Sequence, residues 1–180
     1  AIVKWAKINN KENLTLTCLA KNKVSKIRAQ ERFSKYKKKI RLKAEIEIRI
    51  IEYDEINNLT EFDCAILAIP EKYHMEVLKL LVKKTNEIIC VKPFTKSKNE
   101  VLECLEISKE SNTNIFIDFH KRFDPANIEF IRNSLAKNHN DGIFSFSYGQ
   151  KVEMPLKYFQ KWSESSNPFQ YLAPHYLDII

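Results

Sequence analysis

The stretch from Asp63 to Pro93, DCAILAIPEKYHMEVLKLLVKKTNEIICVKP, restricts the fold more than any other part of the chain, because its apolar period changes from strand to helix and back. Residues 63 to 69 form a short apolar run stopped by Pro70, the pattern of a strand buried on both faces of a parallel sheet. Met75, Leu78, Leu81 and Val82 then recur at helical spacing, with Lys79, Lys83 and Lys84 on the remaining positions. Ile88 to Val91 reads as a second buried strand, stopped by Lys92-Pro93. Together these make a βαβ unit, so Pro70 to His74 and Lys92 emerge on the carboxyl edge, where open α/β sheets bind ligands. A lysine held there is a candidate proton donor once burial or a neighbouring cation lowers its pKa from about 10.4. The plainer reading is a surface lysine at a strand end.

The rest of the chain falls around this unit. Ala1 to Ile8 suggests the second half of a helix, and Leu14 to Ala20 a strand. A helix with Val24, Ile27, Ala29 and Phe33 follows, then a strand in Ala44 to Ile51 whose Ile46, Ile48 and Ile50 alternate with charges as on a sheet edge. Asp54 to Asn58 is a connector. Ser97 and Glu100 fit a capping box, opening a helix with Val101, Leu102, Leu105 and Ile107 on its apolar face. Ile115 to Phe119 is a further buried strand, with His120, Lys121 and Arg122 at its carboxyl end. Asp124-Pro125 starts another helix, with Ile128, Ile131 and Leu135 inward. From Gly142 the alternation of Phe144, Phe146 and Tyr148 with serines predicts an antiparallel strand, so a domain change falls between Phe119 and Gly142. Near the end, Tyr171, His175 and Asp178 share one helical face, and Pro174 predicts a kink or a later helix start.

Composition narrows the function. A net charge of +7 would suit a polyanion, but the basic residues are spread along the chain among 23 acids. The one dense run, KYKKKIRLK at Lys35 to Lys43, lacks an aromatic-and-glycine recognition motif and reads as a solvated helix end or loop, so no nucleic-acid partner is expected. Cys18, Cys64, Cys90 and Cys104 have no metal-type spacing and read as buried, reduced thiols of a cytoplasmic protein; His175 with Asp178 lacks a third ligand, so no metal is expected. No signal-peptide pattern and no apolar run of about 18 residues occurs, so no membrane association is expected. The two glycines are Gly142 and Gly149, so no glycine-rich phosphate loop precedes them.

Four segments in order, DCAILAIPEKYH, IICVKPFTKS, IDFHKRFDPA and a tryptophan before HYLD, resemble the glucose-fructose oxidoreductase, inositol dehydrogenase and MocA family of NAD(P)-dependent sugar and polyol oxidoreductases. The resemblance covers nearly the whole chain and implies an internal portion, lacking the first strand with its glycine loop and most of the C-terminal domain. The implied fold is α/β, with a partial Rossmann-type parallel sheet over residues 1–121 followed by the start of an α+β domain with an antiparallel sheet over 122–180. By resemblance, Lys92 hydrogen-bonds the reacting hydroxyl or carbonyl near the nicotinamide, His175 moves the proton, and Asp178 is the acidic residue three positions on. Ile69, Pro70 and His74 match the loop passing the cofactor, and Arg122 the segment leading into the substrate domain. Val91 stands where the family usually has glutamate, and Tyr171 where many members have aspartate. Ala20, Lys21 and Asn22 replace the acidic ribose-binding residue, and Lys21 would favour the 2′-phosphate of NADP over NAD. The implied function is hydride transfer between NAD or NADP and a sugar, polyol or nucleotide-sugar, in a protein that forms homo-oligomers when complete. The alternative is a non-catalytic relative that binds such sugars. The 180 residues alone are expected to bind dinucleotide poorly.

Overall fold

The computed structural model describes residues 13–39, 45–136 and 168–179, which fall into two compact units divided after Thr60. The expected opening helix, the alternating strand after Gly142 and the aromatic stretch Gln150 to Trp162 lie outside the described residues.

In the first unit, β1 (Asn13–Ala20) and β2 (Glu45–Glu52) pair in parallel along their full length, from Asn13 opposite Glu45 to Ala20 opposite Glu52. Helix α1 (Lys23–Lys39) makes the crossover. Asn22 starts it, its Oδ1 accepting the Ser25 N–H at 3.0 Å, as a short polar side chain does at an N-cap. The outward charges of β2 answer one another, with Arg49 Nε donating to Glu47 Oε1 at 2.7 Å. A 3-10 turn, Tyr53–Asn58, follows and buries Ile56.

The second unit holds a parallel sheet of β3 (Ala65–Leu67), β4 (Glu87–Val91) and β5 (Asn114–Asp118) in that order, crossed by α2 (His74–Leu81) and α3 (Lys98–Ser111). The βαβ unit expected around Asp63 to Pro93 is therefore present. Its core is Ala65 and Leu67 of β3, Ile88 and Cys90 of β4, and Val77, Leu78 and Leu81 of α2. Each Val, Leu or Ile side chain so buried contributes about 1.5–3 kcal/mol. Thr85 closes the turn between α2 and β4, its Oγ1 donating to the Asp63 carbonyl at 3.0 Å. Helix α4 (Pro125–Ala136) starts as expected, with the Ala126 N–H on Asp124 Oδ1 at 3.2 Å, and α5 (Pro168–Leu177) closes the described chain.

Several expectations are corrected. Strand β3 is shorter than residues 63–69, and burial among the described residues alternates along it: Ala65 and Leu67 are buried, whereas Ile66 is 51% exposed, as is Phe116 of β5 at 53%. In α3, Leu102 and Leu105 are exposed, whereas Glu100, Glu103, Cys104, Ile107, Ser108 and Ser111 form the covered stripe. Ser108 and Ser111 belong there because their hydroxyls donate to Thr113, at 2.6 and 2.9 Å. Ile128 is exposed, Cys64 is exposed and Cys18 half-buried. Of the two expectations at Pro174, the later helix start is overturned, since α5 begins before it and runs through it, with the Pro174 carbonyl accepting the Asp178 N–H at 3.1 Å.

Candidate active site

Strands β3 and β4 run parallel, so the segments after them leave the sheet on one edge. Lys92 is the first residue beyond β4 and is half-buried; burial lowers its amine pKa to about 8. The two segments are joined by His74, the first residue of α2, which is wholly buried. Its Nε2 lies 2.7 Å from the Ile69 carbonyl oxygen and its Nδ1 2.7 Å from that of Phe94. The ring thus spans from the residue before Pro70 to the second residue after Lys92. Cys90 Sγ sits 3.3 Å from the same Nδ1, and burial pushes its thiol up to about 12, so it stays protonated and is no nucleophile at neutral pH.

The chain after β5 meets α5. A 3-10 turn, His120–Phe123, is closed by the Arg122 N–H on the Phe119 carbonyl at 2.9 Å. From it Arg122 grips Asp178 with a fork, Nε donating to Oδ2 at 2.6 Å and Nη2 to Oδ1. The Asp178 carboxylate is 7% exposed, and a bidentate, charge-assisted pair is the arrangement that tolerates such burial. One turn back, His175 is 6% exposed, and its Nδ1 is buried with no hydrogen-bond partner among the described residues. Its ring packs edge to face on His120, centroids 4.6 Å apart, and on Phe119 at 6.5 Å. Burial lowers its pKa to about 4, helped by the positive fields of Lys92, His120 and Lys121 and opposed by Asp178. His175 is therefore a neutral imidazole at pH 7, within electrostatic reach of Lys92.

Of the residues singled out from sequence, Arg122, His175 and Asp178 gather here and the charge of Lys92 acts on His175, while Ile69, Pro70, His74 and Val91 lie at or just beyond the ends of β3 and β4. Tyr171 lies in α5 one turn before His175, and its side chain is outside the described residues. Sequence reasoning placed His120 on this edge without the ring contact to His175, and it did not foresee the Arg122–Asp178 fork. The signal for His120 was its position directly after a strand; for the fork, between residues 56 positions apart, there was none. Among the described residues no group of three or more His, Cys, Asp or Glu could hold a metal ion, and no described helix is long and apolar enough to cross a membrane.

No curated protein matches the chain significantly. Among solved structures, it resembles the WlbA dehydrogenase from Bordetella pertussis in complex with NADH and UDP-GlcNAcA (15% identity, TM-score 0.61, 94% of this chain and 54% of that one). It also resembles a levoglucosan dehydrogenase in apo form (17% identity, TM-score 0.62, 91% and 42%) and a super-repressor mutant of Gal80p from Saccharomyces cerevisiae (13% identity, TM-score 0.65, 99% and 47%). At such identities the likeness shows the fold, and the chain spans about half the length of these proteins. The model of an oxidoreductase family with an NAD-binding Rossmann fold matches residues 3–119, from before β1 to just after β5. The chain belongs to that family, the NAD-binding Gfo/Idh/MocA oxidoreductases.

Proposed function

We propose that the whole protein is an oxidoreductase moving a hydride between NAD or NADP and a secondary alcohol or ketone of a sugar, polyol or nucleotide-sugar. The observation that carries this reading is the buried imidazole of His175 with an unpartnered Nδ1, on which the charge of Lys92 acts. An alcohol being oxidised needs a base for its proton and a donor for the oxygen left behind. His175 supplies the base and the Lys92 ammonium the donor. Both groups keep the required form at neutral pH, since the one titrates near 4 and the other near 8.

The donor set fits the reacting end of a nicotinamide cofactor: an amine, a neutral imidazole, and a neighbouring thiol too basic to compete. Ile69, Pro70, Val91, Lys92 and the loop that His74 holds would line it, and NAD(P), when bound, supplies the hydride chemistry. The first glycine is Gly142, so no glycine-rich turn for the pyrophosphate precedes it. We place the NAD(P)-binding part at residues 1–121 and the start of the substrate and oligomerisation part at 122–180. Lys92 then comes from one part, and Arg122, His175 and Asp178 from the other. A homo-oligomeric, cytoplasmic enzyme acting on small molecules follows from the same reading.

The test is nicotinamide absorbance with the whole protein against sugars, polyols and nucleotide-sugars, using NAD and NADP in parallel. Turnover of at least one substrate is expected, and Lys92→Ala is expected to lower kcat/KM by about 10²–10⁴-fold. Val91, in the place of the family's usual glutamate, favours the second reading, a sugar-binding relative without catalysis. Sugar binding by calorimetry without turnover of any substrate would select it.

A further inference from the structure

We infer that His120 is a positioning residue for His175, its ring edge fixing the plane of an imidazole that no hydrogen bond at Nδ1 holds. The inference rests on the role proposed above for His175 as the proton acceptor.

A histidine that moves protons is ordinarily set in tautomer and tilt by a hydrogen bond from its second nitrogen to a carboxylate or carbonyl. His175 has no such bond among the described residues. The acid just after its helix, Asp178, is held by Arg122 through both carboxylate oxygens and makes no hydrogen bond to the ring. What touches the imidazole instead is aromatic: His120 at 4.6 Å and 77°, and Phe119 at 6.5 Å and 76°. Both rings come from the two residues after β5, and each meets the His175 ring at a steep angle. Edge-to-face contact depends on ring angle, so two such contacts restrain the tilt that a hydrogen bond would otherwise set.

The segment His120-Lys121-Arg122 thus divides its work. Arg122 pins α5 through Asp178, and His120 orients the ring one turn earlier on that helix. His120 also acts through charge. The ionisable groups whose fields reach His175 are Lys92 after β4, His120 and Lys121 after β5, and Asp178 just after α5. The first three all disfavour a second proton on the imidazole, and Asp178 alone favours it.

The experiment uses the whole protein, with steady-state kinetics and an NMR titration of the histidine ring nitrogens on wild type, His120→Ala and His120→Phe. In His120→Ala, kcat is expected to fall about 3- to 10-fold while KM for the cofactor stays put, and the His175 titration midpoint is expected to rise. His120→Phe restores an aromatic edge without a charge, so it should recover most of the lost kcat while keeping the raised midpoint. Wild-type kcat and an unmoved midpoint in His120→Ala would overturn the inference, as would failure of phenylalanine to rescue kcat. If the wild type turns over nothing, the functional reading falls, and the ring's order then decides: His175 ring resonances that broaden in His120→Ala and sharpen again in His120→Phe uphold the link, and resonances equally sharp in both variants overturn it.

Discussion

His175 and Lys92 are both shifted toward their neutral forms, and the two shifts set opposite limits. Oxidation needs His175 without its proton, so kcat/KM should fall as pH drops through about 4. It also needs the Lys92 ammonium, so the rate should fall as pH rises through about 8. A pH–rate profile with limbs near those values is the expected outcome, and an acid limb near the ordinary histidine value of about 6.5 would contradict the buried base. The same shift of His175 acts on stability. Its folded pKa lies below its unfolded one, so nothing is lost above about 6.5. Between there and about 4 the unfolded chain takes up a proton that the folded chain refuses, and stability drops by about 1.4 kcal/mol per pH unit. Lys92 was legible in the sequence because it follows a strand directly, and His175 because it shares a helical face with Asp178. Their orientation was not legible, since the contact of His120 with His175 and the fork from Arg122 to Asp178 join distant parts of the chain.

The parallel strands, their crossover helices and two helix starts could be read from local patterns, because those depend on neighbours in sequence. Ser97 caps α3 with its Oγ accepting the Glu100 N–H at 3.3 Å, whereas Glu100 reaches back one residue further than a capping box requires, to the Lys96 N–H at 2.7 Å. Ser97→Ala should therefore cost about 1 kcal/mol in urea unfolding, and Glu100→Ala should add to that loss because it frees a different amide. The covered stripe of α3 was misread for a physical reason. Two of its members are serines, which hydropathy counts as solvent-facing, and their hydroxyls are satisfied by Thr113 across the turn. Asn112, in the left-handed conformation with φ of 51°, makes that turn possible where glycine would be usual.

The described residues form two parallel-sheet units, and the chain spans about half the length of the solved structures it resembles. The absence of any glycine before Gly142 leaves the pyrophosphate of a dinucleotide without a tight turn to sit on. Calorimetry of these 180 residues against NAD is expected to show no saturable binding. Saturable binding by the 180 residues alone would show that this chain cradles phosphates by another route. One feature of the edge bears on how any ligand is received there. The imidazole of His74 lies at hydrogen-bond distance from carbonyls on both sides of the edge, Ile69 after β3 and Phe94 after β4, and a neutral ring carries one N–H, so its tautomer decides which of the two loops next to Lys92 it ties down.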